Sequence, residues 1–157
     1  MIESSGSPQR VTCVQIEANV DDLDPRIWPH VIDALLAAGA HDAWITPIVM
    51  KKGRPAFTLG ALCAPVDLDA IRSVVFAEST TIGIREWDVI KHVLPRSVES
   101  VAVGDHQLAT KVAWVDGEIV NRSIEWDDVV RVGAALGLTP KAVLAAAVAA
   151  AAAEGQA

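Results

Sequence analysis

The spacing of apolar residues between positions 11 and 90 changes twice from the period of a strand to that of a helix and back. The resulting order is strand, helix, strand, strand, helix, strand, which is the split arrangement of ferredoxin-like βαββαβ folds. The strands are predicted at 11–18, 43–50, 56–63 and 82–90; the helices run from Pro25 to a stop at Gly39 and from Pro65 to Ser79. The sequence therefore predicts an α+β fold whose sheet has the strand order four-one-three-two.

The second predicted strand contains Pro47, which lacks the backbone N–H that a central strand needs. We therefore expect this strand at an edge of the sheet. It is followed by Lys51-Lys52-Gly53-Arg54-Pro55, a segment typical of a hairpin connection.

The chain after residue 95 is predicted as a small subdomain of short strands followed by two helices. The strands are expected at 98–103, 107–115 and 118–121, with Asp116-Gly117 as the turn between the last two. One helix covers 126–136, and Thr139-Pro140 begins the other. The predicted organisation is a flexible leader at 1–10, a ferredoxin-like core at 11–95 and this subdomain at 96–157.

The charge balance excludes several classes of partner. The sequence has 13 Lys and Arg against 20 Asp and Glu, a net charge of −7, which repels nucleic-acid phosphates and anionic membrane surfaces. The Ala-rich tail is too weakly hydrophobic to span a membrane, and the first residues do not resemble a secretory signal. We expect a cytoplasmic protein that binds neither nucleic acid nor membrane. Cys13 and Cys63 have no metal-ligand spacing and are predicted as core residues.

The predicted topology brings four chain segments to one end of the sheet, here called the rim. They are the exit of the first strand at 19–24, the hairpin at 51–55, and the end of the second helix with the entry to the fourth strand at 79–85. Lys51, Lys52 and Arg54 in this place suit the phosphate oxygens of an anionic ligand. The alternative is that the lysines keep the hairpin soluble and block pairing at the sheet edge.

Two further groups of rim residues fit a metal–nucleotide complex. Thr80 and Thr81 supply hydroxyls and Gly83 a flexible backbone, as phosphate sites often do; alternatively, the segment only ends a helix. Asp21 and Asp22 supply oxygen ligands for a hard divalent cation, or stabilise the following helix N-terminus.

Other motifs favour no further chemistry. His30, His41, His92 and His106 show no ligand spacing. The sequence contains no G-x-S-x-G, P-loop or G-x-G-x-x-G, which argues against serine hydrolases, P-loop NTPases and Rossmann dehydrogenases. No catalytic residue is assigned.

At the rim residues the chain resembles the nickel-insertion (LarC) proteins, which complete the nickel-pincer nucleotide cofactor of lactate racemase. The similar segments are 17–22 (EANVDD), 38–43 (AGAHDA), 46–55 (TPIVMKKGRP) and 78–85 (ESTTIGIR), with Lys111-Val112-Ala113, Asp116-Gly117 and Asn121 further along. The resemblance covers most of Val11 to Val148. Arg26 and Val103 depart from it, since acidic and aromatic residues are common at these positions in the family.

The resemblance implies an activity that binds CTP with Mg or Mn and inserts nickel, the substrate metal, into pyridinium-3,5-bisthiocarboxylic acid mononucleotide. By position, Lys51, Lys52, Arg54 and Arg85 are expected to hold phosphate, with Thr80, Thr81 and Gly83 beside them. Asp21 and Asp22 are expected to hold the cation, with Glu17 as a further candidate ligand.

Family members are usually much longer, so the chain resembles only their C-terminal, nucleotide-binding half. The implied enzyme is a CTP-dependent nickel chelatase that needs a separately encoded partner for the N-terminal half. The alternatives are a nucleotide-sensing or scaffolding module without turnover and a purely structural assembly protein. Five Trp residues on different elements and an Ala-rich last helix predict a homo-oligomer.

Overall fold

The computed structural model describes residues 7–154. The chain forms two compact units: the N-terminal unit spans Arg10–Lys91, and the C-terminal unit is built from His92 onward. Part of the predicted leader at 1–10 lies outside the described residues. Within the described part, the first strand already begins at Gln9, so the leader is shorter than expected.

The N-terminal unit has the predicted order of elements. They are β1 (Gln9–Val20), α1 (Trp28–Ala37), β2 (Asp42–Met50), β3 (Arg54–Cys63), α2 (Leu68–Glu78) and β4 (Arg85–Val93). The four strands form one sheet in the order β2-β3-β1-β4, which is the predicted order. β2 lies at the edge, as its proline requires.

Both helices of this unit begin with a single 3₁₀ turn, so each α-helix starts three residues after the predicted proline. Before α1, the side chain of Asp24 accepts a hydrogen bond of 3.0 Å from the backbone N–H of Arg26, as expected of an N-cap. Gly39 follows α1 with a φ of 103°, a conformation that favours glycine. The fourth strand was predicted from position 82 but begins at Arg85, because residues 79–83 form a tight turn held by their own side chains.

The core of the N-terminal unit lies between one face of the sheet and the two helices. The antiparallel register places Ile16 opposite Ala61 and Ala18 opposite Leu59, so these side chains share that face. The helices complete it with large buried side chains: Trp28, Val31 and Leu35 from α1, and Ile71 and Val75 from α2. Each fully buried side chain of this size stabilises the fold by about 1.5–3 kcal/mol. Cys13 and Cys63 are buried free thiols, as predicted, and burial raises the pKa of Cys63.

The C-terminal unit contains a three-stranded antiparallel sheet and two helices. They are β5 (Arg96–Val103), β6 (His106–Val115), β7 (Glu118–Ile124), α3 (Trp126–Leu136) and α4 (Pro140–Glu154), with the strand order β5-β6-β7. The predicted turn between β6 and β7 is confirmed: Asp116 and Gly117 have φ values of 50° and 84°. β7 is three residues longer than predicted because Ile124 still pairs with Thr110.

α3 begins and ends where the sequence predicts, and α4 begins where it predicts. Gly137 ends α3 with a φ of 65°, and the hydroxyl of Thr139 accepts a hydrogen bond of 3.3 Å from the N–H of Ala142 at the start of α4. The core beneath them consists mainly of small side chains: Val101, Leu108, Val129, Val132, Val143, Ala147 and Ala151. No single helix within residues 7–154 is long and apolar enough to cross a membrane.

Candidate functional site

The rim of the N-terminal unit contains a cleft of about 260 Å³. Its lining comes from two of the predicted rim segments, the exit of β1 and the turn before β4. The lining residues are Asn19, Val20, Asp21, Asp22, Thr80, Thr81 and Ile82. The topology therefore brings together the predicted cation ligands and the predicted threonines.

The acidic and basic side chains of the rim are paired with each other. The guanidinium of Arg54 lies 3.0 Å from a carboxylate oxygen of Asp21. Arg85 lies 2.7 Å from a carboxylate oxygen of Glu17. Each pair joins a residue predicted to hold phosphate to one predicted to hold a cation. In the ligand-free protein the charges of these side chains therefore neutralise one another.

The two threonines have different contacts. Thr80 donates a hydrogen bond to a carboxylate oxygen of Asp22, which links the turn before β4 to the exit of β1. The hydroxyl of Thr81 donates to the carbonyl of Gly83 at 2.8 Å and accepts from its N–H at 3.3 Å. The Thr81 hydroxyl therefore closes its own turn, and Thr80 is the threonine that contacts the acidic loop.

Lys51 and Lys52 lie on the short turn that joins β2 to β3. Lys52 and Gly53 both have positive φ, 64° and 70°, which makes the reversal tight. Both lysines are exposed, and among the described residues neither lines the cleft nor forms an ion pair. Their positive charge remains available to an anion, and exposure is equally compatible with a solubilising role.

The sequence did not predict the support beneath Arg85. Thr58 is 8% exposed, and its hydroxyl donates to the side-chain oxygen of Asn19 at 2.8 Å. The same oxygen accepts a hydrogen bond of 2.9 Å from Arg85. The signal was one hydroxyl residue within the otherwise apolar stretch 55–63 of β3, which the register places directly opposite Asn19. Asn19 and Thr58 therefore fix the position of the guanidinium.

The donor atoms of the rim suit a hard cation. Among the described residues, no group of three His, Cys, Asp or Glu side chains could hold a metal ion by itself. Mg²⁺ and similar ions are commonly bound by one or two carboxylates together with substrate phosphates, so Asp21 and Asp22 fit an ion that arrives with a nucleotide. One pair of softer donors was not predicted: the Cys13 sulfur lies 3.7 Å from Nδ1 of His41.

Comparison with known proteins identifies the family. The family described as "Nickel insertion protein" matches residues 1–144 of this sequence. This chain belongs to the nickel insertion protein family. The family resemblance found in the sequence is thereby confirmed.

Individual family members are similar over most of this chain but are themselves much longer. A protein of Nocardioides sp., called a pyridinium-3,5-bisthiocarboxylic acid mononucleotide nickel insertion protein, is 52% identical over 134 residues, which are 85% of this chain and 34% of the relative. A protein of the same description from Thermotoga petrophila is 41% identical over 114 residues, 73% of this chain and 29% of the relative. This chain therefore spans about a third of the length of the curated relatives it matches.

A solved structure of the family has the same fold. It is the apo form of LarC2, described as the C-terminal domain of a cyclometallase involved in the synthesis of the NPN cofactor of lactate racemase. The TM-score is 0.82 at 31% identity, and the match covers 91% of this chain and 99% of that domain. The family member described here is thus similar to a C-terminal domain, as the resemblance implied.

Proposed function

We propose that the rim binds CTP together with Mg or Mn. In this proposal the chain is the nucleotide-binding component of nickel insertion into pyridinium-3,5-bisthiocarboxylic acid mononucleotide, in the cytoplasm. The supporting observation is the cleft itself: segments that resemble the family surround one space of about 260 Å³, and two arginines are bonded to its lining residues, Arg54 to Asp21 and Arg85 to Asn19.

The chemistry of the cleft suits the parts of a nucleoside triphosphate. Arg54, Arg85, Lys51 and Lys52 supply positive charge for the phosphates, and arginine can bind phosphate through two parallel hydrogen bonds. Ile82, in the cleft wall, has a fully exposed side chain, which gives a nucleobase an apolar surface to contact.

The ion pairs of the rim make metal and nucleotide dependent on each other. Free CTP carries only negative charge, so drawing Arg54 away from Asp21 would leave that carboxylate unpaired beside the phosphates. A metal–nucleotide complex carries both charges, so Arg54 and Arg85 can turn to phosphate while Asp21 and Glu17 face the cation. Exchange of partners keeps every charge paired.

The cation has a limited role in this proposal. Asp21 and Asp22 would hold it, with Glu17 as a further ligand once Arg85 has turned away. When bound, Mg or Mn neutralises phosphate charge and orients the triphosphate. Asn19, which accepts a hydrogen bond from Thr58, keeps Arg85 close to the cleft in the ligand-free protein.

Binding is tested by isothermal titration of MnCTP into the full chain and into Arg85→Ala. Losing one charge-assisted contact costs about 1.5–3 kcal/mol, so affinity should fall roughly tenfold to a hundredfold. Arg131→Ala is the matched control, because it removes an arginine from an ion pair with Asp128 in the C-terminal unit. Wild-type affinity in both Arg85→Ala and Lys52→Ala would refute the site.

Turnover is proposed to need the part of the relatives that this chain does not match, because the match covers only about a third of their length. That observation also supports the second candidate, a nucleotide-binding module that senses or scaffolds without turnover. The test incubates the chain with pyridinium precursor, nickel, CTP and manganese and transfers the product to apo lactate racemase. We expect no activation until a protein supplying the remaining part is added. Activation by this chain alone would show that it is a complete CTP-dependent chelatase.

We also propose that the chain forms a homo-oligomer. Large apolar side chains are exposed on several elements: Trp87, Ile90, Val98 and Trp126 are each at least 39% exposed. Light scattering should give a mass of two or more chains of 16.6 kDa each. A mass of one chain at micromolar concentration would contradict this.

A further inference from the structure

The C-terminal unit contains a groove that belongs to no segment of the rim. It has a volume of about 290 Å³ and lies between the edge strand β7 and the last turns of α4. Ile119, Val120 and Ile124 line it from the strand, and Val148 and Ala152 from the helix. A volume of this size lies at the lower end of small-molecule pockets, which begin at about 300 Å³.

The groove exists because α4 is made mostly of alanine. Its buried side chains Val143, Ala147 and Ala151 pack in the core of the unit. The neighbouring residues of α4 are too small to fill the space between α4 and β7. Val120 and Val148 therefore remain 52% and 54% exposed on opposite walls of the groove. Two apolar walls that face each other suit the two faces of a flat ring.

A small polar pocket beside the groove contains an unpaired hydroxyl. The side chain of Thr110 is 3% exposed, and its oxygen has no hydrogen-bond partner among the described residues. Thr110 lines a small pocket of about 50 Å³ together with Glu99, Ser100, Arg122 and Ala151. Arg122 and Ala151 line the groove as well, so the two spaces adjoin. A buried polar atom without a partner is uncommon in folded proteins, so this hydroxyl is open to a hydrogen bond with a group that enters the pocket.

Arg122 supplies a positive charge at this junction. It forms none of the ion pairs found among the side chains that the structure describes. Its guanidinium and the hydroxyl of Thr110 both donate hydrogen bonds, and both are available to a carboxylate or phosphate.

We propose that this groove binds an anionic ligand with a flat ring, of the pyridine carboxylate mononucleotide class. The ring lies between Val120 and Val148, and an acidic group of the ligand accepts hydrogen bonds from Arg122 and Thr110. The ligand class rests on the proposed function, which requires a pyridinium mononucleotide as well as CTP. The groove would then hold one of the two nucleotides and the rim the other.

The test titrates nicotinic acid mononucleotide into the full chain by calorimetry, without CTP. Three variants alter the groove: Val148→Trp fills it from an exposed position, Arg122→Ala removes the charge, and Thr110→Val removes the hydroxyl at nearly constant shape. We expect no binding in the first, at least about tenfold weaker binding in the second, and severalfold weaker binding in the third. Arg131→Ala and Arg85→Ala should bind as wild type does. Circular dichroism establishes that each variant is folded.

The outcomes separate this site from the rim. Loss of mononucleotide binding in Val148→Trp, with MnCTP binding unchanged, supports the groove. Mononucleotide binding in a chain that never binds MnCTP would refute the rim and leave the groove standing. No binding by wild type at millimolar probe overturns the proposal, and so does binding that only Arg85→Ala abolishes. If Val148→Trp changes the mass of an oligomer and leaves probe affinity unchanged, the groove is a contact between copies and the proposal is wrong.

Discussion

The two units handle polar groups in opposite ways. In the N-terminal unit, the charged groups of the rim are satisfied by one another: Arg54 by Asp21 and Arg85 by Glu17. In the C-terminal unit, Arg122 lines the groove, and the unpartnered Thr110 hydroxyl lies in the adjoining small pocket. A ligand that binds at the rim must replace existing ion pairs of the arginines. A ligand that binds in the groove can bond to Arg122 and Thr110 without breaking an existing contact. The rim therefore favours a ligand that brings both signs of charge, and the groove favours an anion.

The cores of the two units also differ in composition. The N-terminal core contains Ile16, Leu35, Leu59 and Ile71, which are among the largest fully buried side chains. The C-terminal core is built mainly from valine and alanine. Because burial energy follows apolar area, a single truncation should remove more stability from the N-terminal unit.

Leu35→Ala compared with Val143→Ala tests that difference. Leu35 is fully buried, and Leu→Ala changes in cores cost about 2–5 kcal/mol. Val143→Ala removes two carbons at about 0.8 kcal/mol each plus a smaller cavity, or roughly 2 kcal/mol. Urea unfolding measures both. An equal loss in the two variants would contradict the account of the cores.

Gly60→Ala should be the next most damaging change. A Cβ at Gly60 would lie only 2.3 Å from the indole of Trp44, which packs against this strand. Overpacking of this kind costs about 1–3 kcal/mol. Gly83→Ala is the control, since its Cβ would meet nothing within 4 Å and its backbone has no positive φ. Similar unfolding temperatures for the two variants would show that Trp44 can move aside.

The two buried threonines should respond in opposite directions to the same substitution. Thr58→Val removes a donor to Asn19, so we expect a loss of about 1 kcal/mol in the free energy of unfolding. Thr110→Val replaces an unpartnered hydroxyl by a methyl group, which should be neutral or raise stability by up to about 1 kcal/mol. Thermal unfolding distinguishes these signs. A loss in Thr110→Val would indicate that bound water satisfies the hydroxyl.

The smallest effect concerns the acid dependence of the C-terminal unit. The backbone N–H of Ala109, helped by Arg131, holds the pKa of Asp128 below its ordinary value. This carboxylate therefore contributes stability above the unfolded pKa of about 4, and the contribution is lost as the pH falls through the lower folded value. As the pH falls over that range, the free energy of unfolding of Asp128→Asn should decrease less than that of wild type. Parallel acid-unfolding curves would mean that the contact is too exposed to matter.

The order of strands was predictable because periodicity and Pro47 are local signals. Pro47 places β2 at the edge, and the topology then brings Asp21 and Thr80 into one region. Element boundaries were less accurate where 3₁₀ turns precede the helices, since a proline marks the start of either kind of turn.

The pairing of charges could not be predicted from sequence. Arg54 was expected to bind phosphate, but in the structure its guanidinium forms an ion pair with Asp21, 33 positions away in the chain. The unpartnered hydroxyl of Thr110 could not be predicted either, because its environment depends on Ala151 of α4, which follows it by some forty residues. In both cases the side chain is informative only once its spatial neighbours are known.

In our proposal, the rim binds metal and nucleotide as one complex by exchanging ion-pair partners. The direct measurement is the calorimetric affinity of CTP with and without Mn²⁺, in wild type and in Asp21→Asn. In wild type Mn²⁺ should tighten binding by at least about tenfold, or 1.4 kcal/mol. In Asp21→Asn, where Arg54 has lost its internal partner, metal-free CTP should bind more tightly than in wild type and the gain from Mn²⁺ should shrink. Equal affinity of wild type for CTP with and without metal would contradict the exchange.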